Sequence, residues 1–232
     1  MSLHSSVVRV RSRLGTIREA VVFHLNHPDR RLRVGEQLPF DDEAQVCFVT
    51  KVREAQSYLE FGSGASTLHV ARSRKPLVSI ESDQLFLDAI LERVTDLGTN
   101  GSVGADATVL HADIGPTGPW GKPIFPSLAR PRKWSNYPHH PWRVLGEEYY
   151  ADTILVDGRF RVACALAVIF YQGARPWTML VDDYDERSHY REIERYAELF
   201  NMHGRMAEFK PMAGIDKEVV AAALWKFSGD WR

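Results

Sequence analysis

One stretch, Tyr58–Thr67 (Tyr-Leu-Glu-Phe-Gly-Ser-Gly-Ala-Ser-Thr), limits the folds open to this chain more than any other. Tyr58–Phe61 forms a short apolar run broken only by Glu60, and it leads straight into Gly62, Ser63 and Gly64. From Ala65 onward Leu68, Val70 and Ala71 follow at helical spacing. The order is strand, tight glycine turn, helix N-terminus. Such a turn offers backbone N–H groups and the positive end of a helix dipole, and its glycines admit a ligand where a side chain would block it. Glu60, at the carboxyl end of the strand, suits an ammonium group better than a pyrophosphate. A nicotinamide-type turn would need a third glycine where Thr67 stands. The stretch therefore predicts a nucleoside ligand that carries positive charge.

Three later strands end on acids. Leu77–Ile80 is closed by Glu81, about 20 positions after the turn, where a carboxylate can take ribose hydroxyls. Thr108–Leu110 is followed by Asp113, and Thr153–Val156 by Asp157-Gly158-Arg159. Glu60-x-Gly62-x-Gly64 with Glu81, Asp113 and Asp157 resembles the class I S-adenosylmethionine-dependent methyltransferases, over roughly residues 40 to 232. The resemblance implies a doubly wound α/β fold: a mostly parallel seven-stranded sheet in the order 3-2-1-4-5-7-6, with helices on both faces. It implies S-adenosylmethionine as cofactor, held by Glu60, Gly62, Ser63, Gly64, Ser66, Glu81 and Asp113. Ser66 stands where many members carry glycine, and a serine still serves a helix N-terminus.

The acceptor side is read from the next two strands. No Asn-Pro-Pro-aromatic sequence follows the fourth strand, which speaks against the amino-methylating DNA enzymes of the fold. Asp157, with Asp182-Asp183 after the fifth strand Met179–Val181, is similar to the metal-dependent O-methyltransferases of the catechol and macrocin types. That likeness implies magnesium or another divalent cation held by Asp157, Asp182 and Asp183, with Asp157 and Arg159 as catalytic residues. Arg159 leaves a second reading open, in which it pairs with Asp157 while Asp182 or Asp183 caps the next helix. Without a metal, Asp157 is the base and Arg159 positions an acidic acceptor. His139, His140 and His189 are further candidate bases, though a loop histidine is more often solvated.

The remainder sets the organisation. Residues 1–37 read as an N-terminal helical arm and connector, and 38–232 as the catalytic domain with an insertion at 115–150. Leu14, Ile17, Val21 and Leu25, interleaved with arginines, predict an amphipathic helix and a homodimer contact; the same arginines also fit an organellar transit segment. Asp41-Asp42 cap a helix through Ala55 whose buried stripe is Val46, Val49 and Val52, with Cys47 and Phe48 alongside. The insertion holds seven prolines and Trp120, Trp134 and Trp142, and reads as a lid over the acceptor or as an ordered loop filling a groove. Tyr190–Asn201 reads as a helix, and Arg205–Lys210 with Val219–Phe227 as a closing hairpin. Cys47 and Cys164 read as reduced core residues. A net charge of −1 gives no reason to expect nucleic acid, no run reaches membrane-spanning length, and a cytoplasmic location follows by default. The expected activity is methyl transfer from S-adenosylmethionine to a small-molecule acceptor at oxygen. A catalytically silent nucleoside-binding module and an aminopropyltransferase are the alternatives.

Overall fold

Apolar runs of four or five residues, each stopped by glycine or an acid, become parallel strands buried on both faces. In the computed structural model, which describes residues 33–98, 106–124 and 131–232, β1 (Tyr58–Phe61), β2 (Leu77–Glu81), β3 (Ala107–His111), β4 (Thr153–Val156) and β5 (Thr178–Val181) are parallel. β6 (Ala197–His203) and β7 (Met206–Pro211) complete one seven-stranded sheet in the order β3-β2-β1-β4-β5-β7-β6, with β7 antiparallel to both its neighbours. This is the expected sheet. The chain reverses its direction of travel between β1 and β4, which makes the crevice above their carboxyl ends the place where such sheets bind ligands.

Two apolar layers cover the sheet. One contains α1 (Asp42–Glu54), α2 (Ala65–Arg72) and α3 (Gln84–Asp96); the other contains α5 (Asn136–Leu145), α6 (Arg161–Gln172) and α7 (Lys217–Phe227), with the short α4 (Pro131–Trp134). Asp41, Asp83 and Asp216 cap α1, α3 and α7 by accepting backbone N–H bonds. Cys47 and Cys164 are free and buried, as expected. No helix among the described residues is long and apolar enough to cross a membrane. The arm, with the helix over residues 5–26 and its dimer contact, lies outside the described residues.

Three expectations need correction. The buried stripe of α1 is Ala44, Cys47, Phe48 and Val52, while Val46 is 68% exposed. The Tyr190–Asn201 helix is instead a 3-10 segment, Ser188–Arg195, followed by β6. Pairing with β7 outweighs the helical spacing of Ile193, Tyr196 and Ala197. The closing hairpin is therefore β6–β7, turning at Gly204-Arg205, and Val219–Phe227 lies in helix α7. Its Val-Val-Ala-Ala-Ala-Leu run fits strand or helix by pattern, and alanine propensity with the Asp216 cap favours helix.

The insertion divides. Trp134 and Trp142 are buried, their indole N–H groups donating to the carbonyls of Ile114 (3.1 Å) and Tyr149 (3.1 Å), and Trp142 stacks on Tyr171. This half fills a groove. The other half carries a 3-10 turn, Pro119–Gly121, whose Trp120 is 83% exposed.

Candidate functional site

The hydrogen-bond ladder runs one residue past the parallel strands. Gly62 N–H donates to the Ile80 carbonyl (2.9 Å), Asp157 N–H to Phe61 (2.9 Å), Ala112 N–H to Glu81 (2.8 Å) and Asp182 N–H to Val156 (3.2 Å). The first loop residues after four strands, β1, β3, β4 and β5, are thereby fixed on one edge. At its centre the β1 and β4 turns touch through main chain alone. Gly62 has φ +100°, and a Cβ there would lie 2.6 Å from the Gly158 Cα; a Cβ on Gly158 would strike the Tyr137 hydroxyl. Gly64 differs. Its φ of 178° suits any residue, and a Cβ on it would meet only open space.

Glu60 does not face that space. It is fully buried beneath the turn and accepts hydrogen bonds from the hydroxyls of Tyr58 (3.1 Å), Ser66 (2.8 Å), Ser79 (2.6 Å) and Thr67. Burial raises its pKa against those four bonds. The expected contact with a ligand ammonium is thus corrected: Glu60 braces the turn, and the Ser66 side chain, spent on Glu60, does the same. Thr67 also accepts from the Gly64 N–H (2.8 Å), holding the start of α2.

Glu81 is the last residue of β2, at the crevice edge. Its Oε1 accepts from the N–H groups of Ser82 (2.6 Å) and Asp83 (2.8 Å), and Oε2 takes one N–H, from Ser63 (3.2 Å). Burial pushes the carboxyl up to about 7 despite these bonds. The Ser63 hydroxyl is turned inward to Ser79 (2.7 Å). Beside Glu81 a cleft of about 350 Å³ opens between the ends of β2 and β3, lined by Ser82, Leu85, His111, Asp113 and Thr117 among others. That volume falls within the ordinary range for small-molecule sites. Asp113 is exposed on its rim, and Lys133 with the Gly115 N–H lowers its pKa.

Across the crevice, Asp157, Asp182 and Asp183 meet arginines. Arg161, the first residue of α6, donates from Nη2 to Asp157 Oδ1 (2.8 Å), from Nε to the Gly158 carbonyl (3.0 Å), and pairs with Asp183 (3.2 Å). Arg205, from the β6–β7 turn, grips both oxygens of buried Asp182 (2.9 and 2.7 Å), and Arg187 takes Asp183 (3.1 Å). A divalent cation would have to displace these guanidinium bonds. The expected metal site does not fit this donor set, and no step here runs through one. Among the described residues three ligand-type atoms gather elsewhere, at Cys47, His203 and Glu208, but Glu208 is already held by Lys51 (2.7 Å) and Lys210 (3.2 Å).

Arg159 does not pair with Asp157; Arg161 does. Sequence reasoning missed Arg161, although it lies four residues from Asp157 at the head of an otherwise apolar helix. Burial first, opposed by Arg161 and reinforced by Asp182 and Asp183, pushes Asp157 up to about 7, and its side chain remains 22% exposed. That is the range of a general base working near neutrality. Arg159 has no acidic partner among the described residues, and its Nε is buried without a hydrogen bond. Gly121 overlies this ground: a Cβ there would lie 2.8 Å from Ser82 Oγ, 3.8 Å from Glu81 Oε1 and 3.9 Å from Arg159 Cγ. Of the histidines, His139 Nδ1 is engaged with the Tyr171 hydroxyl (2.9 Å), and burial lowers the pKa of His139, His140 and His189.

No family model matches the sequence, and no curated protein matches it. Among solved structures, the chain is similar to a methyltransferase-like protein from Silicibacter pomeroyi, at 31% identity and a TM-score of 0.71, covering 85% of this chain and 98% of that one. More distant are an O-methyltransferase from Bacillus cereus in complex with S-adenosylhomocysteine (14% identity, TM-score 0.45, 85% of this chain and 91% of that one) and a Podospora anserina methyltransferase bound to the same product (17%, 0.41, 99% and 83%).

Proposed function

The chain belongs to the class I S-adenosylmethionine-dependent methyltransferases, and from that premise we propose that it methylates a hydroxyl of a small molecule, with Asp157 as the base. S-adenosylmethionine, when bound, supplies a methyl group on a sulfonium, leaving S-adenosylhomocysteine with the electron pair of the broken C–S bond on sulfur. The open space at Gly64, beside the turn of Gly62 and Ser63, takes the amino-acid end of the cofactor. Glu81 Oε2 accepts the ribose hydroxyls, and the cleft between Ser82 and Asp113 takes the base. Glu60 and Ser66 keep the turn rigid beneath them.

Asp157 receives the acceptor's hydroxyl proton. Arg161 fixes the carboxylate by one oxygen and by the Gly158 carbonyl, so the base needs no reorganisation when the acceptor arrives. The observation that carries this reading is the common edge: the open space at Gly64, the carboxylate of Glu81 and the carboxylate of Asp157 all follow strands in direct register. The test is calorimetry with S-adenosylhomocysteine on Glu81→Gln, which keeps the shape of the side chain. Hydrogen bonds to a charged group contribute about 1.5–3 kcal/mol, so affinity should fall roughly tenfold or more. Unchanged affinity in a folded variant refutes the assignment.

A further inference from the structure

Among the described residues, the aspartates and arginines of the acceptor half of the crevice are paired except at Arg159. Asp157, Asp182 and Asp183 are all ion-paired, and Arg161, Arg187 and Arg205 are spent on them. Arg159 remains. Its guanidinium has no carboxylate within ion-pair distance among the described residues, its Nε is out of contact with solvent, and it makes no hydrogen bond there. A second donor beside it is also unsatisfied: the Tyr190 side chain is fully buried and its hydroxyl has no partner among the described residues. Arg159 and Tyr190 lie close enough for each to perturb the other's ionisation. Buried donors are nearly always satisfied, and a guanidinium left without an anion beside two other arginines is costly.

We propose that the acceptor is a hydroxy acid, whose carboxylate is bound by Arg159 and the Tyr190 hydroxyl while its hydroxyl is presented to Asp157. The inference rests on the methyltransferase reading above and narrows its substrate class. A carboxylate fits better than a phosphate, because one guanidinium and one phenol offer few donors and the three nearby aspartates oppose a second negative charge. Arg159 sits two residues from Asp157 on the same turn, so one bound molecule can reach both. Gly121 closes over the Arg159 stem, which places the carboxylate in a site shielded from water once the turn is down. The neighbouring Arg161 cannot take this role, since its donors hold Asp157, Gly158 and Asp182.

The test uses the full chain loaded with S-adenosylhomocysteine and follows the arginine Nε–H resonances by NMR, with the Arg159 signal assigned from Arg159→Lys. The probes are a panel of hydroxy carboxylic acids, each paired with its primary amide and with the corresponding phosphomonoester. At millimolar concentration some acids should shift the Arg159 signal while their amides and phosphate esters do not. With S-adenosylmethionine, those acids should be methylated with kcat/KM at least tenfold above their amides. In Arg159→Gln the preference should vanish, mainly through KM, with affinity for S-adenosylhomocysteine retained. Tyr190→Phe should weaken acid binding severalfold. Amides or phosphate esters that match the acids overturn the proposal, as does a panel in which no acid moves the signal. Failure of S-adenosylhomocysteine to bind at all removes the underlying methyltransferase reading instead.

Discussion

Glu81 and Asp157 face opposite halves of one crevice, and burial brings both carboxyls to about 7. In the proposed function each must be ionised, Glu81 as acceptor for ribose hydroxyls and Asp157 for a substrate proton. Affinity for S-adenosylhomocysteine should therefore improve as pH rises through about 7, and the dependence should flatten in Glu81→Gln. Stability runs the other way. A carboxyl whose folded pKa lies above its unfolded value stabilises the fold while protonated, and that contribution is lost as pH rises through the folded pKa. For Glu81, a rise from 4.5 to about 7 corresponds to about 3 kcal/mol at 1.36 kcal/mol per unit. The melting temperature should fall between pH 5 and 8 and fall less in Asp157→Asn or Glu81→Gln. A binding transition centred near 4, the ordinary carboxyl value, would exclude the Glu81 role.

At the scale of elements, the 3-10 turn Pro119–Gly121 lies over Ser82, Glu81 and the Arg159 stem. Trp120 adopts φ +62°, a left-handed conformation that disfavours a bulky residue, and it points into solvent with 83% of its surface free. Gly121 lies against Glu81, the proposed ribose acceptor, and against Ser82 Oγ, so on that reading the turn shifts when a nucleoside binds. Trp120 emission should change on titration with S-adenosylhomocysteine, and Trp120→Phe should lose that change while keeping the affinity. An identical fluorescence response in the variant would show that the turn stays put. Elements of this kind mark where sequence reading stops. β1 to β5 were legible because buried parallel strands are short apolar runs with sharp ends, and their terminal acids followed by position. β6 was not, because a mostly exposed edge strand has no buried face to impose a period. The pairing of Asp157 was not legible either. Phe160 at φ +55° starts α6 in a left-handed step, and Arg161, the residue after it, pairs with Asp157, while Arg159 has no acidic partner among the described residues. Side-chain direction at a helix start is set by backbone conformation, which residue type alone does not declare.

For the whole molecule, the contact between Gly62 and Gly158 joins the two halves of the sheet where its winding reverses. Gly62→Ala should destabilise the fold by about 3 kcal/mol, since its Cβ strikes backbone and φ +100° suits only glycine. Gly64→Val should leave the melting temperature within a degree or two and abolish S-adenosylhomocysteine binding, because its side chain enters the space a ligand would use. Equal melting losses in the two variants would show that both glycines serve the fold alone. The Gly62–Gly158 contact has a further consequence. In the proposed function, methyl donor and proton acceptor are indexed to each other by two strands of main chain at van der Waals distance, with no side chain between Gly62 and Gly158 to be exchanged. Changes in the loops that choose the acceptor can therefore accumulate without altering the distance over which the reaction occurs. New substrates can be acquired by this scaffold while its reaction coordinate stays where it is.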